Sequence, residues 1–312
     1  MIKYEIKTNA LSLFIDEEKV YSNSPLFTQD KSPVYFKDIV SVEANIVTPS
    51  LPSEYETKSH VDGDDHTLDS GVIYWDETDQ CSFFYYGDSN VPGGDRFSIY
   101  KINSEDKTKA SFTGSLNNFI FGSIPAGETP YLWGVFPYMS TTRCDNTSVT
   151  VKFPNVQSIP DNSFDEKAHV LVGMSETFRI QLSPAYATIR FKLDTTVNPD
   201  IPDDITYIQF SAKNKDAILN GNVNISYDEN GQMVFEKISG TNSLQLTPQD
   251  GSYFKLDTWY YFHLLPSQLT GFNMRFITES GEMGMMSYDK SLDMYVNRIV
   301  NAAKTISSNI VF

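Results

Sequence analysis

The stretch FHLLPSQLTGFNMRF, residues 262–276, decides the fold class. An apolar run enters a proline and resumes after a glycine. The second run alternates, with Phe272, Met274 and Phe276 on one side and Asn273 and Arg275 on the other. Such a period sends successive side chains to opposite faces of a strand, so the segment reads as two strands and a corner. The pattern recurs outward from it. ATIRFKLD sets Ala187, Ile189, Phe191 and Leu193 against Thr188, Arg190 and Lys192, and VTVKF aligns Val149, Val151 and Phe153. ITYIQFSA, GVIYW, DRFSIYKI and TWYYFHLL are further runs of β-branched and aromatic residues. NVNISYDENGQMVFEKI reads as a hairpin in which Asn230-Gly231 supplies the positive φ angles of a tight turn. Glycine and proline clusters such as SNVPGGD and SIPAGETP punctuate the runs, and no helical period is sustained. Many short strands with regular turns predict an all-β sandwich or barrel, not a parallel α/β fold.

Bulk properties narrow the function. The 312 residues suffice for one or two domains with a sizeable core. A net charge of −16, from 40 acids against 24 bases, repels phosphate backbones and anionic lipid heads. Nucleic acid and direct membrane-surface binding are therefore poor expectations. No apolar stretch reaches membrane-span length, and the opening MIKYEIKTN lacks the apolar region of a signal peptide. That leaves a cytosolic chain or a secreted one with its leader trimmed. Cys81 and Cys144 lack the spacing of a zinc site. A pair in an oxidising compartment and two unpaired thiols both remain open. The polar stretch FPNVQSIPDNSFDEK, 153–167, reads as a long surface loop. A boundary is placed near residue 176, dividing the chain into 1–176 and 177–312.

Catalytic chemistry is sparse. Of the histidines, only His60 and His66 lie close together, in HVDGDDH with Asp62, Asp64 and Asp65. That spacing matches no EF-hand or HExxH pattern, so a solvated acidic loop is preferred to a metal site. His263 sits mid-strand among aromatics and reads as packed or paired rather than as a base. No nucleophile elbow, Walker loop or dinucleotide fingerprint occurs. The neighbours Asp64/Asp65 and Asp76/Glu77 are adjacent in sequence, whereas glycosidase carboxylates face each other across a cleft. Neither cofactor nor metal is expected, and enzymatic activity is not. Trp75, Tyr85 and Tyr86, with Phe83 and Phe84, form either an aromatic platform for a sugar or partner, or a core strand; the core reading is preferred.

The ordered landmarks then resemble a known family. They are Asp95 and Arg96 in DRFSIYKI, Phe112 and Gly114 in KASFTGSL, Pro137 and Tyr138 in YLWGVFPY, and Ser163–Asp165 in SFDEKAHVLVGMSE. Phe191–Leu193, Leu219–Val223, Leu265–Phe276 and Arg298–Val300 follow. This series, from about residue 70 to the end, is similar to the fimbrillin-like proteins of Bacteroidales, subunits of type V pili. The resemblance implies two tandem β-sandwich domains of transthyretin-like topology. It also implies export as a lipoprotein to the outer membrane or surface fibres, through a lipid anchor not present in this chain. Partners would be other pilus subunits, joined by strand exchange in which main-chain hydrogen bonds give affinity.

Two features depart from the family. Stalk subunits are typically opened by cleavage after an early arginine, and the first here is Arg96, although Lys19 offers a lysine site. At the C-terminus, AKTISSNIVF puts Ile306, Ile310 and Phe312 on one strand face, interrupted by Ser308. That run reads as a mediocre donor strand or a last core strand. The expectation is thus a surface or pilus-associated structural and adhesive protein, a tip or accessory subunit rather than stalk. The alternative is a glycan-binding surface lipoprotein that engages a host or bacterial surface glycan or protein.

Overall fold

The computed structural model describes residues 2–7, 10–15, 18–21, 39–46, 74–85, 92–115 and 131–312. Two compact units form, each from separate stretches. Met1–Asn45, Trp75–Thr147 and Gly173–Leu182 make the first; Ile46–Tyr74, Ser148–Val172 and Ser183–Phe312 make the second. Residue 176, the expected boundary, lies inside the last stretch of the first unit.

The first unit opens with an antiparallel meander of β1 (Ile2–Lys7), β2 (Ala10–Ile15) and β3 (Glu18–Tyr21). It continues with β4 (Ile39–Ile46), β5 (Gln80–Tyr85), β6 (Asp95–Ile102), β7 (Lys109–Ser115), β8 (Leu132–Phe136) and the short β9 (Arg143–Cys144). The second unit begins with β10 (Val149–Phe153), β11 (Val156–Ile159) and a 3-10 turn at Glu166–Ala168. β12 (Leu171–Ser175) and β13 (Arg179–Pro184) come next in the chain, and across them Gly173–Leu182 returns to the first unit. A closed barrel runs in the order β12-β13-β4-β7-β6-β5-β8. Its interior is aromatic because alternate residues of each strand point inward. Phe83 meets Phe97 edge-on at 5.0 Å, and Trp75 meets Phe112 edge-on at 5.0 Å. Gly114 is explained by this crowding: a Cβ there would lie 2.7 Å from the Phe97 ring. Cys81 and Cys144 are both buried and no disulfide joins them, which answers the pairing question.

The rest of the second unit comprises β14 (Ala187–Lys192), β15 (Ile205–Ala212), β16 (Gly221–Tyr227), β17 (Met233–Lys237) and β18 (Ser243–Pro248). It closes with β19 (Trp259–Leu264), β20 (Ser267–Leu269), β21 (Phe272–Thr278), β22 (Met283–Tyr288), β23 (Leu292–Met294), β24 (Ile299–Asn301) and α1 (Ala303–Asn309). The sheet β11-β18-β15-β21-β22 and the sheet β19-β14-β24 share one apolar core with α1. Phe210 opposite Met274 and Ile208 opposite Phe276 supply the first layer; Phe191 and Phe262 supply the second. The opening stretch 262–276 therefore feeds both layers, and its corner carries β20, paired with β23. A further sheet, β17-β16-β10, buries Val149, Val151, Val223 and Ile225.

Two local expectations change. The 153–167 stretch is not all loop, because β11 lies within it and pairs in parallel with β18. Its four residues are too few to display a period, and the pairing partner lies some ninety residues on. The β16–β17 hairpin is present, but only Gly231 takes positive φ, +72°. Asp228 orders the wider loop: its carboxylate accepts from the N–H groups of Asn230 and Gln232.

Candidate functional site

Of the residues expected to carry binding, Trp75, Tyr85, Ile306, Ile310 and Phe312 are described. Trp75 is inside the barrel, edge-on to Phe112 and Phe136, with its indole N–H donating to the Thr108 carbonyl at 2.9 Å. A ring held by core packing and a main-chain bond is not a platform. Tyr85 is half-buried and stacks on Phe178 at 6.1 Å. Tyr86 lies outside the described residues, as does HVDGDDH.

The C-terminal residues form a different element from the expected strand. Ile306 and Ile310 are four apart, the spacing of one helix face as well as of one strand face. The chain takes the helix over Ala303–Asn309, which buries Ile306 and turns Ser308 to solvent. The serine that interrupts a strand pattern is thus on the outer side of a helix. Beyond it the chain straightens. Val311 exchanges two main-chain hydrogen bonds with Met285 of β22, at 2.8 and 3.0 Å. The Phe312 ring fills the space over Gly284, where a Cβ would approach it to 2.6 Å. Among the described residues this single bridge is what pairs the outer edge of β22, and Met283, Met285 and Val311 stand exposed beside it.

A buried polar layer in the second unit was not anticipated as a unit. His263, on β19, shares a hydrogen bond between its Nδ1 and the Thr188 hydroxyl at 2.9 Å. Gln157, on β11, clasps the His263 backbone: its carboxamide accepts from the amide N–H at 3.0 Å and donates to the carbonyl at 2.6 Å. His169, just past the 3-10 turn, shares a 2.6 Å hydrogen bond between Nδ1 and the Tyr186 hydroxyl. Phe164 of SFDEKA packs on both imidazoles, at 4.5 and 5.0 Å between ring centroids. Asp165 positions that phenylalanine by capping the turn, accepting from the N–H groups of Lys167 and Ser158, both at 2.9 Å. Burial disfavours the charged imidazole, holding His169 down at about 3. The same desolvation, together with repulsion from His169, puts His263 well below its ordinary value. Burial raises the Tyr186 phenol well above its own.

Two imidazoles held neutral by burial make a poor acid–base pair at neutral pH. Among the described residues, no cluster of three or more His, Cys, Asp or Glu could hold a metal ion. The layer is best understood as buried polar packing, and the sequence signal for it was the SFDEKAH segment itself. No described helix is long and apolar enough to cross a membrane.

No protein-family profile and no curated protein matches the chain. Among solved structures, the chain is similar to a candidate cell adhesion protein of Bacteroides ovatus, at 10% identity and a TM-score of 0.43, covering 89% of this chain and 96% of that one. It is also similar to a fimbrial assembly protein of Parabacteroides distasonis, at 12% identity and a TM-score of 0.25, covering 80% and 100%. The major pilin of Streptococcus pyogenes is matched at 9% identity and a TM-score of 0.17, covering 84% and 95%.

Proposed function

We propose that this chain is a non-enzymatic, exported cell-surface protein of the fimbrillin type, a pilus-associated subunit that meets its neighbours by strand addition. The observation that carries this reading is where the eight ordered landmark segments fall. Seven coincide with β6, β7, β8, β14, β16, the β19–β21 run and β24, and the eighth is the capped 3-10 turn. Their distinctive residues have physical work at those places. Gly114 admits the Phe97 ring, and Gly221, at φ +101°, admits the Ser239 carbonyl where a Cβ would come within 2.2 Å. Asp165 caps the turn that carries Phe164.

On this reading the second unit corresponds to a sandwich of transthyretin-like topology, the first closes as a barrel where a sandwich is expected, and a lipid anchor holds the protein at the outer membrane. A tip or accessory place fits better than a stalk place, since cleavage after Arg96 would remove β1 to β5. Among the described strands, edges that could take an added strand include β17, which ends its sheet, and β22 beside the short Val311 bridge. A donor role for Ile306, Ile310 and Phe312 would require α1 to unwind and withdraw Ile306 from the core, so the tail is assigned to cis packing. Limited proteolysis followed by unheated SDS gels tests the proposal. Heat-sensitive ladders after trimming would establish strand exchange, and a trimmed protein that stays monomeric would reject it.

A further inference from the structure

We propose that β17 pairs edge to edge with β17 of a second copy, joining the two in one continuous sheet about a two-fold axis. The inference rests on the strand-addition reading and names its edge and its partner. β17 ends its sheet, and its ladder with β16 fixes which main-chain groups point outward. The Ile238 N–H donates to the Asn222 carbonyl, and the Asp228 N–H to the Gln232 carbonyl, in the register that sets Ile225 opposite Phe235. Hydrogen-bonded pairs alternate along an antiparallel ladder, so Val234 and Glu236 also turn their main chain towards β16. The N–H and C=O groups of Met233, Phe235 and Lys237 therefore point away from the sheet. No main-chain hydrogen bond reaches them among the described residues.

Other long edges of the second unit are covered. On β19 the Trp259 carbonyl accepts from the Asn162 N–H, the Tyr261 N–H donates to the Ser163 carbonyl, and Gln157 holds both groups of His263. On β22, Val311 takes both groups of Met285. Strand edges are ordinarily blunted by a proline, a bulge or a lysine held out over the edge. β17 contains no proline and pairs without a register shift. Its lysine is withdrawn, because the Lys237 ammonium donates to the Ile218 and Pro266 carbonyls and the Ser267 hydroxyl, at 3.1, 2.6 and 2.6 Å. Val234 and Ile238 stand 46% and 55% exposed on one face, and Met233 and Phe235 are half-buried on the other. An apolar edge with outward main-chain groups is a surface on which a further strand can pair.

The sequence of the edge fits a second copy. Outward groups must meet outward groups, so the register can slide only by whole pairs of residues. In one register Phe235 faces the partner's Phe235, Met233 faces the partner's Lys237, and Val234 faces the partner's Glu236. All three outward positions are then used, for about six main-chain hydrogen bonds, with an aromatic pair on the axis. The next register on one side sets Glu236 against the partner's Glu236, a like-charge contact. The next on the other side carries Lys237 onto the partner's Gly231, in the hairpin turn. Two chains of net charge −16 repel each other, so association should tighten as salt rises.

The test is sedimentation equilibrium of the full chain over a concentration series, with amide exchange at low and high concentration. A reversible dimer is expected, in which the amides of Met233, Phe235 and Lys237 gain protection and those of Met283 and Ser287 do not. Val234→Glu sets a carboxylate against the partner's Glu236 twice over and should weaken the dimer about tenfold. Val234→Lys offers that carboxylate a cation and should weaken it far less. Both variants should keep the melting temperature, since residue 234 is exposed and faces Ser226 within its own chain. A monomer at every concentration would overturn the proposal, as would protection at β22 in place of β17, or equal weakening by the two variants. SDS-resistant ladders after trimming, from a chain that is monomeric when intact, would keep strand addition and reject this edge. Failure of the strand-addition reading shows separately, as a trimmed chain that gives no ladders.

Discussion

The two faces of the β14–β19 pair bury different chemistry to the same degree. One face carries Ile189, Phe191, Tyr260, Phe262 and Leu264 into the sandwich core. The other carries Thr188, Arg190, Tyr261 and His263, which are 4%, 7%, 2% and 3% exposed. In an ordinary two-layer sandwich the second face would meet water. Here Gln157, Phe164, His169 and Tyr186 close over its His263 end. The first face is held by apolar area and ring packing, which tolerate modest changes of shape. The second is held in part by specific hydrogen bonds, such as those of Gln157 to the His263 backbone, which fail when one partner is removed, although the His263 Nε2 is buried without a hydrogen-bond partner among the described residues.

That contrast can be broken by substitution and by acid. The largest effect belongs to the apolar face. Phe262→Ala should cost about 3–5 kcal/mol in denaturant unfolding, because Phe262 is fully buried against Phe191 and Phe210. A loss below about 1 kcal/mol would mean that the core collapses around the gap.

Acid should act on the polar face. His169 and His263 have folded-state values below their unfolded ones, so the folded layer is neutral while the unfolded chain takes up protons below about pH 6.5. Their contribution is complete above that pH and declines as pH falls towards about 3, the His169 value. Between pH 7 and 5 the loss is about 2 kcal/mol for His169, with His263 acting in the same direction. Stability curves of wild type and His169→Asn would sharpen the point, since the variant should have the shallower slope. Parallel curves would show that the layer does not exclude protons.

Gln157→Ala is the most localised change. It strips two partners from the His263 backbone and should cost about 2 kcal/mol, a buried amide and carbonyl being left unsatisfied. Amide exchange at His263 should accelerate with it. An unaltered exchange rate there would mean that water replaces the carboxamide.

Much of the fold was legible in the chain. Runs such as 187–193 and 272–276 declare both their strands and the residues sharing a face, and the buried face is the apolar one in each. β11 was hidden because four residues between prolines show no period and their partner is distant. The histidine layer was hidden because His169 and His263 are 94 residues apart, joined only when β11, the 3-10 turn and β19 come together.

Alternation is a local property of the chain, so the sequence by itself determined that the protein is built of strands and which side chains travel together. The C-terminal isoleucines mark where local pattern stops deciding, because a spacing of four suits either a helix or a strand. Core packing around Ile306 and the Met285 bridge chose the helix followed by an extended tail. Whether a polar face meets water, as on the barrel wall, or a second layer, as at His263, was likewise decided by tertiary structure. The physical reason is that solvent exposure depends on what packs against a strand, and that partner is encoded elsewhere in the chain.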